Sequence, residues 1–123
     1  MKCGGKSMLF VEYPKCSTCQ KAKKWLDEHG IAYEDRHIVK NNPTYAELKD
    51  WYGRSGMPLK KFFNTSGMLY KETKLKDKLP TMSEDEQLQL LATNGMLVKR
   101  PVIVDGDTVL TGFKAAEWEE KLL

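Results

Sequence analysis

The sequence predicts an α/β fold: a mixed sheet in the order βαβ…ββα, with a helical subdomain inserted between its halves. Three observations predict it. An apolar strand-like run, Met8-Leu9-Phe10-Val11, passes through Tyr13-Pro14-Lys15 into a lysine-rich helical pattern and then into a second strand. The middle of the chain holds two capping boxes, Thr44-Tyr45-Ala46-Glu47 and Ser83-Glu84-Asp85-Glu86, each opening a helix. The C-terminal quarter reads as a hairpin, with Val102-Ile103-Val104 and Thr108-Val109-Leu110 on either side of Asp105-Gly106-Asp107.

Each element has its own signals. Residues 8–13 read as a strand and 17–29 as a helix, with Ala22, Trp25 and Leu26 inward and Gly30 as its stop. Ile31 to Ile38 reads as a second strand, although its alternation is imperfect. The first capping box starts a helix carrying Leu48, Trp51 and Tyr52, with Gly53 as the expected end. Pro58 to Phe63 reads as a short helix, and Met68–Tyr70 as a second short element after Asn64-Thr65-Ser66-Gly67. The charged stretch Lys71 to Lys78 reads as helical turns or loop. The second capping box opens a helix through Leu88, Leu90 and Leu91 that ends near Asn94-Gly95. A last helix runs from about Lys114 to Leu122 and turns Ala115, Trp118 and Leu122 inward. Two strands joined by one helix are expected to lie parallel, and a hairpin then adds antiparallel strands.

Composition bounds the class. With 123 residues, 41% hydrophobic and 30% charged, the chain is expected to fold as one domain over 8–123, with the helical insertion at about 42–95. Residues 1–7 read as a flexible leader, Met8 as an alternative start and Cys3 as an incidental exposed thiol. No run approaches the ~18 apolar residues of a membrane span, and the N-terminus has no apolar signal core. Three cysteines are a poor basis for a secreted disulfide scaffold, so a cytoplasmic location is expected. The net charge of +3 is mild, and no recognition motif or aromatic-basic stripe points to nucleic acid.

The chemistry concentrates at Cys16-Ser17-Thr18-Cys19. Cys16 falls where unpaired N–H groups and the positive end of a helix dipole converge, a setting that favours the attacking thiolate. Cys19 follows by one turn, near enough to close a disulfide. Zinc is the alternative for two cysteines at this spacing, but there is no second pair, and His29 and His37 do not follow ligand spacing. Redox chemistry is therefore expected, with no metal and no bound organic cofactor. Lys15, Lys21, Lys23 and Lys24 surround the motif, and Lys60 with Lys61 forms a second basic spot. Either group is a solvated surface or an electropositive rim for an anionic substrate. Ser17 and Thr18 are candidate donors to substrate. Arg100, extended by the proline that follows, is a candidate oxyanion partner because guanidinium donates paired hydrogen bonds. A CxxC at the first strand–helix junction of this element order is the thioredoxin-like plan.

From Met8 to the end, the chain resembles the ArsC family, which includes glutaredoxin-coupled arsenate reductases and the Spx regulators. The likeness lies in Tyr13-Pro14-Lys15-Cys16-Ser17-Thr18-Cys19-Gln20-Lys21-Ala22, in Pro58-Leu59-Lys60-Lys61-Phe62-Phe63-Asn64-Thr65 and in Lys99-Arg100-Pro101-Val102-Ile103-Val104. The resemblance implies that Cys16 is the nucleophile, that Arg100 binds an oxyanion or steadies the thiolate, and that Pro101 is cis and faces the cysteine. It implies thioredoxin or glutathione with glutaredoxin as electron donor, and a small oxyanion or a disulfide as substrate. For the Spx branch it implies contact with the α subunit of RNA polymerase. The chain also departs from the reductases. Of the three arginines they place around the anion, only Arg100 matches. Lys60 stands at a second place, and Thr108–Phe113 holds no third. The reductases lack a cysteine matching Cys19, so the expected function shifts to a thiol–disulfide oxidoreductase that resolves its own intermediate. A redox-sensing regulator is the alternative.

Overall fold

A computed structural model describes residues 8–123, so residues 1–7 and Cys3 lie outside the described residues. The sheet has four strands: β1 (Met8–Glu12), β2 (Tyr33–His37), β3 (Val102–Asp105) and β4 (Thr108–Thr111). Their spatial order is β2-β1-β3-β4, with β1 parallel to β2 and antiparallel to β3, and β3 antiparallel to β4. Helix α1 (Ser17–Glu28) links the parallel pair. Between β2 and β3 lie α2 (Tyr45–Ser55), α3 (Met68–Glu72), α4 (Leu75–Lys78) and α5 (Glu84–Thr93), with 3₁₀ turns at Leu59–Phe62, Leu79–Thr81 and Gly95–Leu97. Helix α6 (Ala115–Leu122) closes the chain. This is a mixed-sheet, thioredoxin-like α/β fold.

Strand alternation sends side chains into two cores. Met8 and Phe10 of β1, with Ile103 and Leu110, meet Ala22, Trp25 and Leu26 of α1 and Trp118 of α6. Val11, Val102 and Val109 meet the helical segment on the opposite face, through Leu48, Trp51, Phe62, Phe63, Leu88 and Leu91. Glu12 continues the alternation of Met8 and Phe10 and is also buried.

Helix ends follow their local chemistry. Gly30, at a φ of 65°, ends α1: its N–H donates to Asp27 O and that of Ile31 to Leu26 O. Both capping boxes form, Thr44 with Glu47 and Ser83 with Glu86. Gly53, expected to end α2, instead lies within it. The helix runs on to Ser55 and stops at Gly56, which adopts a φ of 67°. Gly53 leaves the helical bonds intact, so the stop falls where the backbone turns left-handed. Ala115 is exposed rather than inward, because α6 starts at that residue and Trp118 alone is buried along it. Gly95 is required by close approach, since a Cβ there would lie 2.1 Å from Ile38 O.

Glu47 caps α2 and also clamps it to β2. Arg36 Nη1 donates to Glu47 Oε2 at 2.7 Å and Nη2 to Oε1 at 2.8 Å, a two-pronged ion pair. The Arg36 hydrogen bond, against burial and with help from Thr44, holds the Glu47 carboxyl at about 2. A depressed carboxyl stabilises the fold above its ordinary value of 4.5 and loses that contribution as pH falls through about 2. Glu47→Gln is therefore expected to cost about 1–2 kcal/mol near pH 7, after solvent screening, with the difference shrinking towards pH 2. Urea unfolding of both proteins from pH 2 to 7 measures it. A cost independent of pH would remove the ion pair as its source.

Candidate redox site

The site begins where β1 ends. Pro14 and Lys15 turn the chain after Tyr13, and the Cys16 N–H donates to Tyr13 O at 2.9 Å. Cys16 then takes the N-cap position of α1 with extended φ and ψ of −85° and 124°, and no side-chain bond caps the helix. The sulfur thus stands at the exposed end of α1 beside its unpaired N–H groups. Cys16 is half-buried. Cys19, one turn on, is fully buried, and both are free thiols.

The two sulfurs have opposite electrostatics. Burial works against ionisation of Cys16. The backbone N–H and thiol of Cys19, the Arg100 guanidinium and the Thr18 N–H outweigh it, and the thiol lies below its ordinary 9.0. Cys19 is pushed up to about 12, first by burial and then by the charges of Cys16 and Glu12, against one stabilising bond from the Tyr13 backbone. That bond is the Tyr13 N–H donating to Cys19 Sγ at 3.4 Å. One thiol is ready to attack, and the other is held back.

Arg100 approaches from the start of β3. Its guanidinium sits 5.3 Å from the centre of the Tyr13 ring, and Nη1 donates to Met96 O at 3.4 Å. Among the described residues its Nε is the one buried side-chain nitrogen or oxygen without a hydrogen-bond partner. The Arg100–Pro101 peptide is cis, as the resemblance implied, and Pro101 is buried, its carbonyl accepting from the Gly112 N–H at 2.8 Å.

The structure therefore brings together Cys16, Cys19, Thr18 and Arg100, with the Tyr13 ring beside Arg100 and its N–H on Cys19. Ser17 and Thr18 are exposed in the first turn of α1. Lys60 is exposed on the 3₁₀ turn and lines a depression with Leu59, Tyr70, Lys76, Leu79, Pro80, Glu84 and Gln87. None of the residues around Cys16 belongs to that lining. His29 stacks on Trp25 with ring centres 4.1 Å apart, and His37 Nδ1 accepts from the Val39 and Lys40 N–H groups. His37 also meets the Tyr13 ring edge to face at 5.7 Å. Sequence reasoning passed over two residues, Tyr13 as the sulfur's backbone donor and Glu12 as a buried acid. Glu12 had a legible signal, since it occupies the next position on the Met8–Phe10 face.

The sequence profile of the ArsC family matches residues 11–121. The chain is 58% identical over 114 residues to Bacillus subtilis YusI, an uncharacterised protein, covering 93% of this chain and 97% of that one. It is 30% identical over 110 residues to the regulatory protein MgsR of the same organism, covering 89% of this chain and 86% of MgsR. It superposes on the solved arsenate reductase from Vibrio cholerae with a TM-score of 0.83 at 26% identity, covering 94% and 98% of the two chains. Reductases and regulators thus share this architecture.

Proposed function

Because the chain belongs to the ArsC family, we propose that it is a thiol–disulfide oxidoreductase with Cys16 as nucleophile and Cys19 as resolving thiol. The observation that carries this reading is the asymmetry of the pair. A half-buried thiol is favoured as thiolate at a helix N-terminus, and a buried thiol is held protonated one turn away.

The Cys16 thiolate attacks one sulfur of a disulfide substrate. The substrate S–S bond breaks, its second sulfur leaves with the electron pair, and a mixed disulfide forms on Cys16. Cys19 loses its proton and attacks Cys16 Sγ. The mixed disulfide breaks, the second substrate thiolate leaves, and Cys16–Cys19 closes. The protein gives up two electrons and the substrate gains them. With arsenate, the oxyanion condenses on Cys16 with loss of water, and attack by Cys19 on Cys16 releases arsenite. Arg100 is the anion's partner, through its free Nε and its fork of donors. Ser17 and Thr18 add donors at the exposed first turn, while Pro101 walls the site beside Arg100. Lys60, the second cation expected near the anion, lines a depression with Tyr70 and Leu79. Thioredoxin, or glutathione with glutaredoxin, returns the electrons in the cytoplasm.

The test is NADPH consumption with arsenate or a small disulfide, coupled through thioredoxin and its reductase or through glutathione, glutaredoxin and glutathione reductase. The expected result is turnover in one system that disappears in Cys16→Ser and falls with arsenate in Arg100→Lys. No turnover in either system with any of these substrates would sink the enzymatic reading.

A second reading is a redox-responsive regulator that contacts the α subunit of RNA polymerase, with the Cys16–Cys19 disulfide as its switch. The 30% identity to MgsR favours it. Retention of purified α subunit by only one redox form of the protein would support it, and equal lack of retention by both would end it.

A further inference from the structure

The arginines of this chain are held in different ways. Arg36 is forked onto Glu47, and Arg54 Nη2 reaches Asp50 Oδ2 at 2.8 Å. Arg100 has no carboxylate partner among the described residues. Its Nη1 donates to Met96 O at a long 3.4 Å, and its Nε is buried with no partner. Fixing so long a side chain costs rotamer entropy, so something else must set its position.

The Tyr13 ring is what Arg100 does meet. The guanidinium carbon lies 5.3 Å from the ring centre, within the ~6 Å over which the negative face of an aromatic ring attracts a cation. The ring is itself fixed. It meets His37 at 5.7 Å and 85°, and His37 Nδ1 is oriented by the Val39 and Lys40 N–H groups at 3.1 Å each. The backbone of the same residue is tied to both cysteines. Its carbonyl accepts from the Cys16 N–H at 2.9 Å, and its N–H donates to Cys19 Sγ at 3.4 Å.

We propose that Tyr13 is the positioning residue of this site: its ring, buttressed by His37, holds the Arg100 guanidinium in place while leaving its charge and donors available to the Cys16 sulfur or to an oxyanion there. The inference rests on the reading above of Cys16 as nucleophile with Arg100 as its partner.

A ring suits this task better than a carboxylate. A carboxylate would occupy two donors of the fork and cancel the charge, as Glu47 does for Arg36. An aromatic face attracts the cation without neutralising it. The anion at this site comes and goes with each turnover, so its partner must be held in place without being consumed. Against burial, the Cys19 backbone and thiol and then the Arg100 guanidinium hold the Cys16 thiol below 9.0, which a neutralised Arg100 would do less well. The Tyr13 hydroxyl makes no hydrogen bond among the described residues, so the ring is the working part.

The test is the pH dependence of Cys16 alkylation by iodoacetamide, read by peptide mapping in a Cys3→Ser background. Its midpoint reports formation of the thiolate. Arg100→Gln is expected to raise that midpoint by about one pH unit or more. Tyr13→Leu keeps apolar bulk and loses the aromatic face, and is expected to raise it by roughly half a pH unit. Combined with Arg100→Gln, Tyr13→Leu is expected to add nothing, because the cation it holds is gone. Tyr13→Phe should restore the parent midpoint. A Tyr13→Leu midpoint equal to the parent's would overturn the proposal. So would an equal rise with and without Arg100, which is the mark of a purely structural role. If Arg100→Gln alone leaves the midpoint unmoved, the reading of Arg100 as partner of Cys16 fails, and the role of Tyr13 with it.

A second measurement needs no Tyr13 variant. In the NMR spectrum of the parent protein, the Arg100 side-chain protons are identified by their loss in Arg100→Gln. The ring current of Tyr13 is expected to place them upfield of those of Arg54. Arg100 protons level with those of Arg54 would overturn the proposal, since no ring would then lie beside the guanidinium.

Discussion

Reduced protein treated with iodoacetamide at pH 7 is expected to be alkylated at Cys16 at least about a hundredfold faster than at Cys19. The bound follows from ionisation. A thiol pushed up to about 12 is ionised to roughly one part in 10⁵ at pH 7. One below 9.0 is ionised to at least about one part in a hundred. That thousandfold difference is partly offset, because a more basic thiolate is intrinsically the better nucleophile by roughly tenfold to thirtyfold over this range. Burial then restores the gap, since Cys19 is fully enclosed and Cys16 is not. Peptide mapping after short labelling measures the ratio, and Cys16→Ser should leave almost no early label among residues 8–123. Similar rates at the two cysteines would remove the asymmetry on which the proposed function stands.

Trp118→Ala is expected to cost about 3–5 kcal/mol of stability. No solvent reaches this ring, and it joins both helices of its face to the sheet. It meets Phe113 at 4.7 Å and Trp25 at 5.6 Å, both edge to face, and its Nε1–H donates to Gly112 O at 3.2 Å. Truncation would open a cavity in the smaller core and leave that carbonyl without its donor. For a chain of this length the loss corresponds to a melting temperature lower by on the order of 10–20 °C. Trp118→Phe keeps one aromatic ring in the core and loses the N–H and part of the indole volume, so it should cost less than the alanine variant. Urea denaturation of the three proteins measures both, and a loss below about 1 kcal/mol for the alanine variant would mean that this face collapses around the gap.

The second of these side chains was legible beforehand and its energetic weight was not. Helical spacing places Trp118 inward, but only the packed rings of Trp25 and Phe113 make it the centre of a core. Tertiary contacts also decided details that local signals misplaced. Gly53 reads as a helix stop, yet α2 continues over it to Gly56, because a glycine inside a helix breaks no hydrogen bond. Ala115 fits the inward spacing but lies in the first turn of α6 and remains in water.

What the sequence determined by itself is chemistry that depends on neighbours along the chain. A cysteine after a proline turn and before a helix must meet unpaired N–H groups, and a second cysteine one turn on must lie within reach. Capping boxes and the hairpin turn are likewise local, satisfied within four residues. Only the tertiary structure decided which partners arrive from far away. It brought Arg100 from just before β3 to Cys16, placed Asp35 of β2 against Glu12, and buried Cys19 on the inner side of α1. The reason is physical: ionisation and burial depend on the whole surrounding volume, and a sequence specifies that volume only once the sheet and its two faces have closed around it.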